Sequence, residues 1–236
     1  MRGDMGFPVR LRFSEHGKVR FISHRDVARA FERALRIEQA PLAFTQGFSP
    51  RPKMSFGLAL SVGHESDAEY LDLELTEPVE LDDFGRRLSD SLPEGICLTG
   101  AAELVARAPA LFESVSEVEY RMVVPDGEAA ARDAVARGLE CCSLPVARIR
   151  KGRQVVDDVR EAIRDLRVLG EENGRTVLEL AVATRPRSAR PGDVLSAIGL
   201  ADEHTVRTNQ WIERDGARLE PLAADARGAT EQVSAS

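Results

Sequence analysis

Residues 68–75, AEYLDLEL, alternate strictly between apolar and polar side chains. This period of two predicts a β-strand with one buried face, because successive side chains of a strand point to opposite faces. Working outward, helical patterns lie at 23–38 and 82–92. Further strand patterns lie at 9–13, 19–22, 41–44 and 95–104. The first half is therefore predicted to follow the order strand, helix, strand, strand, helix, strand.

The second half shows the same order. A strand pattern at 118–124 precedes a helical pattern at 127–139, and two hairpins follow, the second turning at Asn173-Gly174. Pro191 suits the first turn of a helix ending near 198, and 205–213 closes as a strand. We therefore predict an α+β fold of two tandem ferredoxin-like (βαββαβ) units with antiparallel sheets. The predicted domains are 1–110 and 111–216, with a polar, Ala/Ser-rich disordered tail over 217–236.

The composition is that of a globular protein: 43% of the 236 residues are apolar and 30% are charged. No apolar run approaches the length of a membrane span, and no signal peptide is visible, so we expect a cytoplasmic protein. Three cysteines give neither a disulfide framework nor a metal-ligand spacing, and Cys141-Cys142 is expected to be buried packing. His64, Glu65, Asp67 and Glu69 fit no established ligand pattern, so we expect no metal and no cofactor.

Charge is distributed unevenly along the chain. The total is −7, but residues 1–60 carry eleven Arg and Lys against five Asp and Glu, whereas 61–104 carry two against twelve. An approaching anion responds to the local field more than to the total charge. The basic segments therefore remain candidates for contact with nucleic acid.

Residues 46–53, QGFSPRPK, are predicted to form a rigid binding loop. Gly47 tolerates positive φ, and the two prolines restrict the backbone around Ser49 and Arg51. Such a loop holds Phe48, Arg51 and Lys53 in fixed directions and loses little entropy on binding. The alternative is that Phe48 fills the core and the cations pair with the acidic strand at 68–75.

Two further groups of residues are candidates for the same interface. Ser23 and Asp26 are predicted to cap the helix that begins there, and its amide end, with His24 and Arg25, is expected to lie beside the loop as an anion site. Arg12 is predicted to extend that site from the first strand. In the second half, the following residues are predicted to form a second basic surface: Arg148, Lys151, Arg153, Arg187 and Arg190.

The segments FISHRDVARAFERALR (21–36) and PLAFTQGFSPRPKMSFGLALSVGHESDAEYLDLEL (41–75) resemble the radical-SAM-linked protein family, a bacterial domain of unknown function. Members are found fused to, or encoded beside, radical SAM proteins. RPGDVL (190–195) and RTNQW (207–211) also look like family features, whereas Arg51 stands where the family has a histidine. The resemblance implies association with an RNA-modifying or translation-related system. The chain lacks the CxxxCxxC motif of a radical SAM cluster.

Three functional hypotheses follow. The first is a non-catalytic RNA-binding or adaptor protein whose partner is tRNA or rRNA. The second is an RNA-processing or RNA-modifying enzyme, with His24 as the base and Arg51 and Lys53 as electrostatic stabilisers. Tandem ferredoxin-like units also resemble the architecture of CRISPR repeat-processing ribonucleases and some pseudouridine synthases, an analogy of fold. The third is a docking partner of a radical SAM enzyme that uses the acidic segment 61–104.

Overall fold

The computed structural model describes residues 6–150 and 152–227, and its helices and strands follow one another in a mixed order. The first half contains β1 (Phe7–Glu15), α1 (His24–Ile37), β2 (Met54–Phe56), β3 (Glu65–Leu75), α2 (Leu81–Ser91), β4 (Ile96–Glu103) and α3 (Leu111–Ser114). The second half contains β5 (Glu117–Val124), α4 (Glu128–Glu140), β6 (Pro145–Arg150), β7 (Arg153–Asp158), β8 (Ile163–Glu172), β9 (Arg175–Ala183), α5 (Pro191–Ile198), β10 (His204–Arg214), β11 (Ala217–Leu219) and α6 (Pro221–Ala224).

The described residues divide into two compact units. The first unit comprises 6–115 together with 211–227, and the second comprises the described residues of 116–210. Residues 204–210 of β10 belong to the second unit, and residues 211–214 belong to the first. The first unit is therefore built from two separate stretches of chain.

The sheet of the first unit has the order β4-β1-β3-β2, and each neighbouring pair is antiparallel. One face of β1 carries Val9, Leu11 and Phe13, which pack with Phe31 of α1 and Phe84 of α2 in one core. Burial of a side chain of this size contributes roughly 1.5–3 kcal/mol, so this face anchors both helices.

The opposite face of β1 is polar and is covered by residues 221–225. Arg10 is completely buried there, with Nε 2.6 Å from Asp72 Oδ1 and Nη1 3.2 Å from Asp225 Oδ2. Nη1 also donates to the carbonyl oxygen of Pro221. Burial opposes the charge of Arg10, but the hydrogen bonds and charges of both carboxylates outweigh it and raise the pKa of the guanidinium.

The second unit has the strand order β10-β5-β9-β8, which matches that of the first unit position by position. β5, β8 and β9 pair antiparallel, and β6 and β7 form a separate two-stranded hairpin between α4 and β8. The prediction of a mixed α+β fold, with a sheet in which antiparallel pairing dominates, is confirmed.

Four local expectations differ from the structure. Residues 41–44 do not form a strand but make two isolated bridges, from Leu42 to Leu75 and from Phe44 to Pro52. Residues 19–22 do not form a strand, because the chain turns through a 3₁₀ helix at Gly17–Phe21. Within the predicted tail, residues 217–227 are ordered: they form β11 and α6, and the buried contacts of Asp225 hold them against β1, whereas 228–236 lie outside the described residues. Cys141 and Cys142 are exposed instead of buried, because they follow the end of α4. No helix of the described chain is long and apolar enough to span a membrane.

Candidate nucleic-acid interface

Residues 43–53, which we call the Phe48 hairpin, form a hydrogen-bonded turn before β2. The Thr45 amide donates to the Arg51 carbonyl at 2.9 Å, and the Arg51 amide donates to Thr45 Oγ1 at 3.0 Å. At the base, the Lys53 amide donates to the Ala43 carbonyl at 2.8 Å, and the Ala43 amide donates to Glu74 of β3. The hairpin is therefore fixed to the sheet at its base and braced across its stem.

The tip of the hairpin points its aromatic side chain into solvent. Phe48 is fully exposed, and Phe44 on the stem is about half exposed, at 51%. Gly47 has φ 138°, which permits the reversal immediately before Phe48. A large apolar side chain held in water on an ordered turn is a feature of contact surfaces.

The two predicted cations of the hairpin have different surroundings. Lys53 Nζ lies 2.9 Å from Glu74 Oε1 of β3, so its charge is largely neutralised. Arg51 is exposed and makes no ion pair with any described residue. Of the two, Arg51 alone is available to an incoming anion.

The hairpin lies at the carboxyl end of α1, not at its amide end. The chain leaves α1 at Glu38 and is joined to the end of β3 by Ala43, so few residues separate the helix from the hairpin. α1 follows β1 and returns along the sheet, which places its carboxyl end near Leu75. The short connection then holds the hairpin at the same end.

The exposed face of α1 carries four arginines, which we call the arginine stripe: Arg25, Arg29, Arg33 and Arg36. Spacings of four, four and three residues place them along one side of a helix over about 17 Å. Arg29 pairs with Asp26 at 3.2 Å, an exposed contact of little strength. The other three make no ion pair among the described residues.

A groove of about 580 Å³, which we call the Gln39 groove, joins the stripe to the hairpin. Arg36 and Gln39 line it from the end of α1, and Phe44, Pro50 and Arg51 line it from the hairpin. The groove thus combines an apolar surface with two cations that have no described carboxylate partner.

A larger groove of about 690 Å³ is lined by residues of β2 and β3 and by the segment 106–110. Its charged lining is mostly satisfied within the protein, since Lys53 pairs with Glu74 and Asp72 pairs with Arg10. It therefore offers an anionic ligand less than the Gln39 groove does.

The amide end of α1 does not form the predicted anion site with the loop. His24 begins the helix, about 18 Å along the axis from Arg36, and its ring lies 5.0 Å from that of Phe56. Ser23 caps the helix as predicted, accepting from the Asp26 amide and donating to Asp26 Oδ2. The hydrogen bond from Ser23 lowers the pKa of Asp26, so a carboxylate already occupies this helix end.

Arg12 also lies apart from the hairpin. It shares the polar face of β1 with Arg10 and is half-buried, with Gly100 opposite it on β4 and Tyr70 on β3. A Cβ on Gly100 would lie 2.7 Å from Leu222 of α6, so the returning chain packs closely on this face. Its position is that of a covered sheet residue.

The predicted basic residues of the second unit also fall into two groups, one paired with carboxylates and one exposed. Arg148 is neutralised by Asp157 at 3.2 Å and by Asp193 at 2.6 Å, whereas Arg153, Arg187 and Arg190 are exposed. Lys151 lies outside the described residues. The structure therefore keeps three exposed cations of the predicted second basic surface.

Several residues of this interface were not singled out from the sequence. Arg33 and Arg36 were visible as the polar face of α1, and their four-and-three spacing was the available signal. Gln39 and Phe44 gave no signal, because their role depends on the chain folding back at the end of α1. Among the described residues, no three His, Cys, Asp or Glu side chains are grouped to hold a metal ion.

The family model described as "Uncharacterized protein conserved in bacteria (DUF2344)" matches residues 9–191, and the chain belongs to this family. No curated protein matches the sequence.

Solved structures with a similar chain include a Cbf5-Nop10-Gar1 complex (TM-score 0.49, 10% identity, 88% of this chain and 50% of that chain). An archaeal box H/ACA sRNP Nop10-Cbf5 complex is also similar (0.44, 10%, 86% and 48%), as is an H/ACA RNP bound to a substrate RNA containing 2'-deoxyuridine (0.44, 12%, 92% and 54%). The protein spans about half the length of those chains. These similarities are distant, so we base the proposed function on this chain's own residues.

Proposed function

We propose that this protein binds RNA through the Phe48 hairpin and the arginine stripe. The observation that carries the proposal is the fully exposed ring of Phe48 on a braced turn, beside the unpaired Arg51. Exposed aromatic rings stack on unpaired bases, and cations beside them hold the phosphate backbone. The net charge of −7 does not oppose this, because the four arginines of the stripe produce a locally positive face on α1.

The second unit supplies a further contact in this proposal. Its exposed cations are Arg153, Arg187 and Arg190. An RNA that binds both units at once would be held more tightly than one that binds a single unit. The corresponding strand orders β4-β1-β3-β2 and β10-β5-β9-β8 support a tandem ferredoxin-like architecture for the two units.

The resemblance to radical-SAM-linked proteins supports a narrower setting: a cytoplasmic RNA-binding adaptor, for tRNA or rRNA, that works with a radical SAM enzyme. The acidic segment 61–104 is the proposed docking face. Co-purification with and without nuclease separates the two partners. A radical SAM protein retained after nuclease treatment supports direct docking, and its loss leaves RNA as the link.

Titration with tRNA and rRNA fragments at several salt concentrations tests RNA binding. We expect affinity to fall linearly on logarithmic axes as salt rises, because bound phosphates release counterions. Substitution of Arg33 or Arg51 by Ala should reduce the slope by about one each. Arg164→Ala, which removes an exposed arginine of β8, is the control. Absence of binding, or binding without a salt slope, would contradict the proposal.

Phe48→Ala tests the stacking contact. We expect affinity for a single-stranded oligonucleotide to fall about 5- to 150-fold, because stacking of one base contributes roughly 1–3 kcal/mol. The melting temperature should not change, since the ring is fully exposed. Phe112→Ala is the matched control, because Phe112 is also exposed (54%) but lies on α3. Equal effects of the two variants on affinity would contradict a stacking role for Phe48.

A further inference from the structure

Gln39 ends α1 in a backbone conformation that usually belongs to glycine. Its φ is 50°, and the amides of Gln39 and Ala40 donate to Arg36 and Leu35 in the pattern of a helix C-terminal cap. A side chain at this position carries a steric cost that glycine avoids. The chain therefore keeps a long amide side chain where a glycine would be more stable.

The retained side chain lines the Gln39 groove together with Glu32. Glu32 makes no ion pair among the described residues, although Arg36 stands four residues further along the same helix. The groove therefore holds a carboxylate and an amide beside two arginines and an apolar wall. Its volume falls within the range of about 300–1,000 Å³ that is usual for small-ligand sites.

We infer that the Gln39 groove binds one nucleotide unit of the RNA and selects a base that carries an exocyclic amino group. This inference rests on the proposed function and specifies the ligand of the same site. Arg36 and Arg51 bind the phosphate, and Phe44 and Pro50 cover a face of the base. Glu32 and Gln39 contact its hydrogen-bonding edge.

The preference for an amino group follows from the chemistry of the two polar side chains. An ionised carboxylate only accepts hydrogen bonds, and a Gln amide both donates and accepts. Adenine, cytosine and guanine each offer an amino group to an acceptor, as in the pairing of Gln with adenine and of Glu with cytosine. Uracil has no amino group. Its one donor on this edge is a ring N–H, and the carbonyl oxygens on either side of that N–H repel a carboxylate. Uracil is therefore the disfavoured base.

Binding of the four 5′-monophosphates to the full chain tests the base preference. We expect UMP to bind at least about tenfold more weakly than AMP, CMP or GMP, because an acceptor that the bound base shields from water without pairing it is costly. Glu32→Gln supplies an amide donor, so it should reduce this ratio to near one. Equal binding of all four nucleotides by the unchanged protein would overturn the preference.

Gln39→Gly separates a binding role from a structural one. Relief of the positive φ should raise the melting temperature by roughly 2 °C, while nucleotide affinity falls about fivefold or more. The matched control is Asn173→Gly, since Asn173 has φ 51° in the β8–β9 turn of the second unit. That variant should change stability alone. Unchanged nucleotide affinity in Gln39→Gly would overturn the role of its side chain.

The outcomes distinguish this inference from the function on which it rests. Salt-dependent RNA binding, without mononucleotide binding and without an effect of Gln39→Gly, would remove the nucleotide groove and leave RNA binding intact. Selective mononucleotide binding without RNA binding would keep the groove and remove the RNA function.

Discussion

Phe48 and Arg10 both have a burial opposite to the one expected from their polarity. The aromatic ring of Phe48 is apolar but fully exposed at the tip of a turn. The guanidinium of Arg10 is charged and strongly hydrated in water, but it is completely buried. Arg10 is compensated by carboxylates at 2.6 and 3.2 Å, so its burial is explained by structure. Phe48 has no comparable compensation within its turn, and this is the observation behind the proposed RNA contact.

Asp158 gives a pH-dependent prediction. The hydrogen bond from Ser143, followed by those from the Leu144 and Arg160 amides, lowers the pKa of Asp158. A lowered pKa in the folded state stabilises the protein above the unfolded-state pKa, and this contribution is lost as pH falls through the folded-state value. Asp158→Asn should therefore lower the melting temperature by a few degrees at pH 7, with the difference shrinking below about pH 4.

Melting curves of both proteins from pH 7 to pH 3 provide the measurement. Asp133→Asn removes one exposed charge from α4 and is the matched control. A difference for Asp158→Asn that stays constant over this range would show that the charge of Asp158 contributes nothing.

Sequence pattern predicted the faces of residues but not what covers them. The alternation of β1 correctly predicted that Arg10 and Leu11 lie on different faces of the sheet. The Asp225 carboxylate that contacts Arg10, however, is 215 positions away in the sequence. No local rule connects two residues so far apart. The alternative pairing of a loop cation with the acidic strand did occur for Lys53 with Glu74, and Arg10 pairs with Asp72 of the same strand.

Among the elements, α1 and β3 were predictable because both have long, regular patterns. The position of the Phe48 hairpin was not, because it depends on the direction in which α1 returns along the sheet. The proposed anion site needed the hairpin at the amide end of α1, where His24 lies. The Gln39 groove exists because the hairpin is at the carboxyl end instead.

Thr45→Ala tests the bracing of the Phe48 hairpin. Loss of the hydroxyl acceptor leaves the Arg51 amide without its partner, so hydrogen exchange at that amide should accelerate about tenfold. RNA affinity should fall a few-fold because the loop then loses more entropy on binding. The melting temperature should stay within about 1 °C, since the turn is exposed.

Thr45→Ser is the matched control, because it keeps the hydroxyl that accepts from Arg51. It should retain both the slow exchange and the affinity of the unchanged protein. If Thr45→Ala also left both quantities unaltered, the turn would owe its order to the prolines.

At the scale of the whole molecule, the first unit depends on residues near the end of the described chain. Asp225 contacts Arg10 at 3.2 Å and Arg214 at 2.8 Å, and Glu220 contacts the Tyr70 hydroxyl. Burial, followed by the hydrogen bond to Glu220, raises the pKa of Tyr70, so its hydroxyl remains a donor.

Removal of residues 217–236 should destabilise the first unit by about 3 kcal/mol, because Arg10 loses the Asp225 carboxylate and the Pro221 carbonyl, and Tyr70 loses its Glu220 acceptor. Urea unfolding followed by fluorescence of Trp211, the single tryptophan, reports on this unit. Asp225→Asn in the full chain should shift the midpoint in the same direction by less. An unchanged midpoint in the truncated protein would contradict this dependence.

The split of the first unit between 6–115 and 211–227 also orders events during synthesis. A ribosome releases the chain from its amino end, and domains that are contiguous in sequence can fold as soon as they emerge. The 116–210 unit meets that condition, whereas Arg10 must wait for Asp225 to be translated. The first unit is thus completed after the 116–210 unit, and the polar face of its sheet stays uncovered until residues 221–225 are synthesised.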